Sequence, residues 1–159
     1  MNSVRLATPD DLLSVSTLWV SMIMEEFGKD ATPDPTAWID IFGNRMTNNG
    51  HFTMLVAENE GGELVGYISG EVYPEPSDGK VHGISQSIYV MPSYRKGKVG
   101  LNLYHNLAKV FVSQGAQIIE FLCKPDKIAF WEKKGYECTG TVMSMKARKL
   151  EKAFGTGRW

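Results

Sequence analysis

The chain has 159 residues, 43% hydrophobic and 22% charged, which suits one compact domain burying ~70% of its extended surface and excludes disordered and fibrous classes. Lys and Arg number 17 against 18 Asp and Glu, a formal net charge of -1, so no overall basic field marks a nucleic-acid binder; the only local concentration is Arg95, Lys96 and Lys98. No uncharged apolar run approaches the ~18 residues needed to span a bilayer, and the N-terminus has no leader-like pattern. Cys123 and Cys138 lack the spacing of a disulfide framework or a zinc site. A cytoplasmic setting without membrane contact is expected.

Residues 4–7 alternate and read as a short first strand. Thr8-Pro9-Asp10-Asp11 then supplies a helix start, with a hydroxyl, a proline and carboxylates in the first turn. Leu12, Val15, Leu18, Trp19, Met22, Ile23 and Phe27 recur at three- and four-residue steps, which predicts a helix to about Phe27 that stops at Gly28. Trp38, Ile39, Phe42 and Met46 give a second helical pattern, ending near Asn48.

From Phe52 the period is two. Residues 52–58 and 64–72 read as strands joined by Asn59-Glu60-Gly61-Gly62, a hairpin turn. A loop over 74–79 leads to a strand over 81–90, ended by Pro92. Residues 99–114 form a helix with Leu103, Leu107, Val110 and Phe111 on one face, closed by Gly115, and 117–123 form a buried strand. Residues 125–134 read as a short helix capped by Gly135, and 136–145 as the last strand, before a basic tail.

The informative stretch is 88–100, where a strand passes through a glycine-containing turn directly into a helix. Free N–H groups at a helix start bind phosphate oxygens, and the helix dipole adds to the attraction. Gly97 and Gly100 admit a ligand close to the main chain, while Arg95, Lys96 and Lys98 supply positive charge. An ordinary turn with solvated cations explains these residues equally well when they are taken alone. A Rossmann or P-loop site needs its glycine turn after the first strand, with an acidic residue ~20 positions on or a GK[ST] ending, and neither is present.

This segment resembles the GNAT superfamily of acyl-CoA-dependent N-acyltransferases. Val90, Pro92, Arg95 and Gly100 fall at the spacing of its signature V-x-P-x-x-[QR]-x-x-G-x-[GA]; Lys98 stands where the inner glycine is expected, with Gly97 one residue earlier. Leu64-Val65-Gly66-Tyr67-Ile68 is similar to the family's third strand, and Ile128 to Glu137 to its A-x-x-F-[YW]-E-K-x-G-F stretch. The resemblance implies an α/β GNAT fold over residues 1–146, with a basic tail over 147–159. That fold has a mixed sheet of six to seven strands, about four helices, and fourth and fifth strands that splay apart.

It implies acetyl-CoA as co-substrate and an amine as acceptor, with a homodimer left open. Ile88 and Val90 match the positions that bind the pantetheine arm. The N–H groups of Arg95, Lys96, Gly97, Lys98, Val99 and Gly100 match those that hold the pyrophosphate. The Val90 amide would face the thioester oxygen, where negative charge grows as an amine attacks.

An amine with a pKa near ~10 must lose a proton before attack. The family's usual fourth-strand carboxylate is replaced by Gln86-Ser87, which leaves Glu71 and His82 as candidate bases, each equally readable as an ordinary surface or substrate-orienting residue. The family's usual tyrosine acid is replaced by Trp131, read as packing against CoA or the core, and Tyr136 is a candidate donor in its neighbourhood. Trp19, Met22, Met24, Trp38 and Phe42 offer an apolar acceptor wall or simply core, and Glu71, Glu75 and Asp78 offer charge for a cationic amine. A GNAT-shaped module that binds acyl-CoA or a protein without catalysis is the alternative.

Overall fold

The computed structural model of the chain describes residues 2–140. They fall into two compact units, divided between residues 122 and 123. In the first, the chain order is β1 (Ser3–Leu6), a 3-10 turn (Pro9–Asp11), α1 (Leu12–Phe27), α2 (Pro35–Asn48), β2 (Phe52–Glu58), β3 (Leu64–Glu75), β4 (Lys80–Val90), α3 (Val99–Ser113) and β5 (Ile118–Phe121). The strands make one mixed sheet in the order β1-β2-β3-β4-β5, antiparallel except for the β4–β5 pair. The sheet therefore holds five strands among the described residues, fewer than the six to seven expected. Of the last strand expected over 136–145, residues 136–140 are irregular and the remainder lies outside the described residues. The tail over 147–159 lies outside them too.

Helices cover both faces of the sheet, which is why β2 and β3 are buried almost throughout. On one face α3 inserts Val99, Leu103, Leu107 and Phe111 against Leu55, Ile68, Val72 and Val90. On the other, α1 and α2 pack Leu12, Val15, Leu18 and Trp38 against Met54, Val56, Tyr67 and Tyr89. The apolar steps in α1 and α3 fall on these buried stripes as their period requires.

The first helix begins with a reciprocal turn: the Asp11 carboxylate accepts the Thr8 N–H at 2.7 Å and the Arg5 guanidinium at 2.7 Å, while Glu58 of β2 takes Arg5 from the other side at 2.5 Å. The bond from Arg5 and that from Thr8 hold the Asp11 carboxyl down at about 2. A depressed carboxyl stabilises the fold above its ordinary value of 3.8 and loses that contribution as pH falls through about 2. With Arg5 partly in water, the contribution is on the order of 1 kcal/mol. Acid unfolding followed between about pH 4 and pH 2 will be flatter for Asp11→Asn than for the natural protein.

Strand β3 runs past Pro74, which the sequence placed in a loop. The Val72 N–H points toward β2 and meets the His51 carbonyl at 3.1 Å. Two residues on, the nitrogen of Pro74 points to the same side, beyond the end of β2, where no donor is required. The ladder to β4 continues through Pro74↔Val81 to Glu75↔Lys80.

In the second unit a 3-10 turn (Pro125–Lys127) leads into α4 (Ile128–Glu132), and Gly135 closes it at φ 92° as a left-handed cap.

Candidate active site

The site begins at an irregularity between β3 and β4. Ser69 pairs with Ser87 and Gly70 with Ser85, so Gln86 is an extra residue on β4. Such a bulge kinks its strand and increases local twist. The pairing of β4 with β5 runs from His82↔Ile118 to Ser85↔Phe121 and ends where the bulge begins. From Gln86 onward β4 continues without β5, which is the splay the sequence comparison implied.

The phase of the ladder shows which main-chain groups face that opening. Met91 N–H bonds the Val65 carbonyl at 2.9 Å across the Val90↔Gly66 pair. Val90 is therefore a non-hydrogen-bonded position relative to β3, and its own N–H and C=O point away from β3. The same holds two residues earlier, at Ile88 opposite Ile68. These are the two positions expected to receive an extended ligand arm.

Beyond Val90, a 3-10 turn (Pro92–Tyr94) turns the chain into α3, whose N-cap Lys98 supplies no side-chain cap. The first amides of a helix have no intrahelical acceptor, so those of Val99 and Gly100 are available to an anion. Gly97 and Gly100 have no internal reason to be glycine. Neither has a positive φ, and a Cβ on either would meet only ordinary contacts, at 3.7 Å. Their bareness suits a ligand approaching from outside, with exposed Lys96 and Lys98 alongside.

Arg95 is engaged within the chain. Its guanidinium turns back, Nε donating to the Val90 carbonyl at 2.8 Å and Nη2 to Glu25 at 2.7 Å. Its charge is matched by a carboxylate of this chain, although the side chain remains 44% exposed.

On the α1/α2 face, Glu71 of β3 accepts from the bulged Gln86 at 2.7 Å and from Asn49 at 3.4 Å, and Gln86 in turn accepts from Arg45 at 3.4 Å. The carboxylate is thus brought to the point where the strands part. Neighbouring His82 is clamped, Nε2 to Asp78 at 2.9 Å and Nδ1 to Glu120 at 3.0 Å. Hydrogen bonds to Asp78 and then Glu120 raise its pKa, favouring an imidazolium that donates from both nitrogens. Tyr73 joins the cluster by donating to Glu120 at 2.9 Å. Deeper on this face the Tyr67 hydroxyl lies 2.7 Å from Ser87, and burial pushes its phenol up to about 12.

Of the expected acceptor wall, Trp38 is core, stacked between Trp19 and Phe42, whereas Met24 is exposed. Glu75 is bonded to Ser77. In the second unit Tyr136 packs edge-on against Trp131 at 5.5 Å, and burial raises its pKa. The sequence reading missed the Glu25–Arg95 pairing and the two partners of His82; only Asp78, four residues before His82, lay within reach of a local pattern.

The result is a mixed α/β protein whose sheet parts at a bulge, with main-chain donors and an open helix start at the gap. The chain belongs to the acetyltransferase (GNAT) family, whose model matches residues 17–136. Its structure is similar to an acetyltransferase from Trypanosoma brucei (TM-score 0.73, 20% identity, 92% of this chain and 99% of that one). It is also similar to glucosamine-6-phosphate N-acetyltransferase from Arabidopsis thaliana (0.72, 15%, 92% and 99%). A third is an aminoglycoside acetyltransferase from an uncultured soil metagenomic sample (0.69, 16%, 92% and 99%). At these identities the likeness is one of fold. Among curated proteins none matches significantly. No helix among the described residues is long and apolar enough to cross a membrane.

Proposed function

We propose that the protein transfers an acetyl group from acetyl-CoA to a primary amine by direct attack on the thioester. The observation that carries this reading is the ladder phase at Ile88 and Val90, which aims main-chain donors into the gap beyond the bulge. Acetyl-CoA supplies the activated acyl group; Ile88 and Val90 hold its arm, and the amides of Lys98, Val99 and Gly100, with the Lys96 and Lys98 side chains, hold its pyrophosphate, the Arg95 and Gly97 N–H groups being taken by the carbonyls of Pro92 and Tyr94. The Val90 N–H, already directed into the gap, stabilises the charge that develops on the thioester oxygen.

Glu71 is the better base of the two candidates. His82 has both nitrogens committed to carboxylates, whereas Glu71 accepts only from neutral amides and retains lone pairs for an amine or a water. The acidic face that carries Glu71, Asp78 and Glu120 favours a cationic acceptor.

The test is release of free CoA across a panel of amines, with calorimetry of acetyl-CoA alone. Binding with turnover of at least one cationic amine is expected. Binding without turnover would replace the transferase by a non-catalytic acyl-CoA-binding module. For Glu71→Gln, kcat at neutral pH should fall roughly 100-fold or more while acetyl-CoA affinity stays the same; a natural rate would remove Glu71 as the base.

A further inference from the structure

Glu25, Tyr89, Val90 and Arg95 form a four-residue clip that neither the phosphate site nor the base accounts for. Arg95 Nε donates to the Val90 carbonyl at 2.8 Å, Arg95 Nη2 bonds Glu25 at 2.7 Å, and the Tyr89 hydroxyl donates to the other Glu25 oxygen at 2.6 Å. The guanidinium lies over the Tyr89 ring, 5.2 Å from its centroid. One carboxylate near the end of α1 thus ties together two consecutive residues of β4 and the turn that follows them.

The clip acts on the peptide planes around the Val90 amide. The plane between Val90 and Met91 is gripped on both sides, its oxygen by Arg95 and its N–H by Val65. The plane carrying the Val90 N–H is shared with Tyr89, whose side chain is held by Glu25 at its hydroxyl and by Arg95 across its ring. A strand that has lost its neighbour on one side is free to twist, and this clip opposes that twist where a misaimed donor is most costly.

We propose that Arg95, anchored by Glu25, is a positioning residue that fixes the direction of the Val90 N–H, and not a ligand of the pyrophosphate. This rests on the transferase reading for its catalytic consequence, though not for the clip itself. In glutamine the side-chain amide nitrogen occupies the place of Nε in arginine. Arg95→Gln therefore retains the donor to Val90 and discards the charge, whereas Arg95→Ala discards both.

Arg95→Ala, Arg95→Gln and Glu25→Ala are to be compared with the natural protein in three measurements. These are acetyl-CoA affinity at low and high salt, kcat and KM with an amine that the panel identifies, and hydrogen exchange of the Met91 amide, the bonded N–H of the clipped plane. Arg95→Ala should lower kcat by about 30-fold with affinity within about 3-fold. It should also speed exchange at Met91 by about 10-fold. Arg95→Gln should recover most of both, and Glu25→Ala should fall between them.

Loss of affinity of about 10-fold or more in Arg95→Ala and Arg95→Gln alike, with a weaker salt dependence, would overturn the proposal in favour of a phosphate ligand. Natural kcat and natural exchange in Arg95→Ala would overturn it as well. If the natural protein turns over no amine, the transferase reading fails on its own, and the exchange data still decide whether the clip holds the Val90 plane.

Discussion

Replacing both Gly97 and Gly100 by alanine will weaken acetyl-CoA binding by about 100-fold without harming the fold. The two effects separate because the protein itself has room for both methyl groups: each new Cβ would lie 3.7 Å from its nearest neighbour, Tyr94 O or Val90 Cγ2, and neither position has a positive φ. What the methyl groups obstruct is the approach of an outside anion to the amides at the start of α3. Alanine also favours the helix at Gly100 by ~0.5–1 kcal/mol, so the thermal midpoint should hold or rise while affinity collapses. Calorimetry beside a melting curve reads both quantities, and natural affinity in the double variant would mean that the pyrophosphate docks elsewhere.

The second large effect concerns the fold that builds the gap. Gly83→Ala and Gly70→Ala should each cost about 3 kcal/mol or more, read as a shifted urea midpoint. A Cβ on Gly83 would run into the ring of Phe111, which is wholly buried and has nowhere to go. On Gly70, beside the bulge, it would press on the Ile84 carbonyl as well as on Phe111. The two differ in their remedy. Phe111→Leu should restore a good part of the loss in Gly83→Ala by opening space, and much less in Gly70→Ala, where main chain is the obstacle. Equal rescue of both would show that the Ile84 carbonyl yields easily and that the bulge is softer than its geometry implies.

Much of this architecture could be read from local pattern. Strand β2 spans the expected residues, Phe52–Glu58, because a short apolar run bounded by turn residues is a property of a few neighbours. Helix α1 ends at Phe27 with Gly28 at φ 63°, as its breaker signal required. The strand-turn-helix passage over residues 88–100 was equally legible, since its meaning lies in the order of elements along the chain.

What escaped the sequence was pairing. The extra residue at Gln86 is invisible until β3 is laid beside β4, because a bulge is a mismatch between two strands and leaves no mark on one. The same is true of Arg95: its residue type suggested charge for a phosphate, and only the fold brings Glu25 from 70 positions earlier to meet it. His82 stood as a candidate base because Glu120, on a strand reached through α3, is no sequence neighbour and its bond to the imidazole is visible only in the fold. Pro74 misled for a related reason, since its missing donor matters only where a partner strand is present to use it.

Gln86 is, in a strict sense, surplus to the sheet. On either side of it the side chains keep their facing and their partners: Glu71 opposite Ile84 and Gly70 opposite Ser85 before it, Ser69 opposite Ser87 and Ile68 opposite Ile88 after it. Excising this one residue would leave each of those pairings in register and straighten β4, allowing β5 to zip along it past Ser85. The shortened molecule would gain hydrogen bonds and forfeit its crevice, so a single residue separates a tidier barrier of strands from a working one.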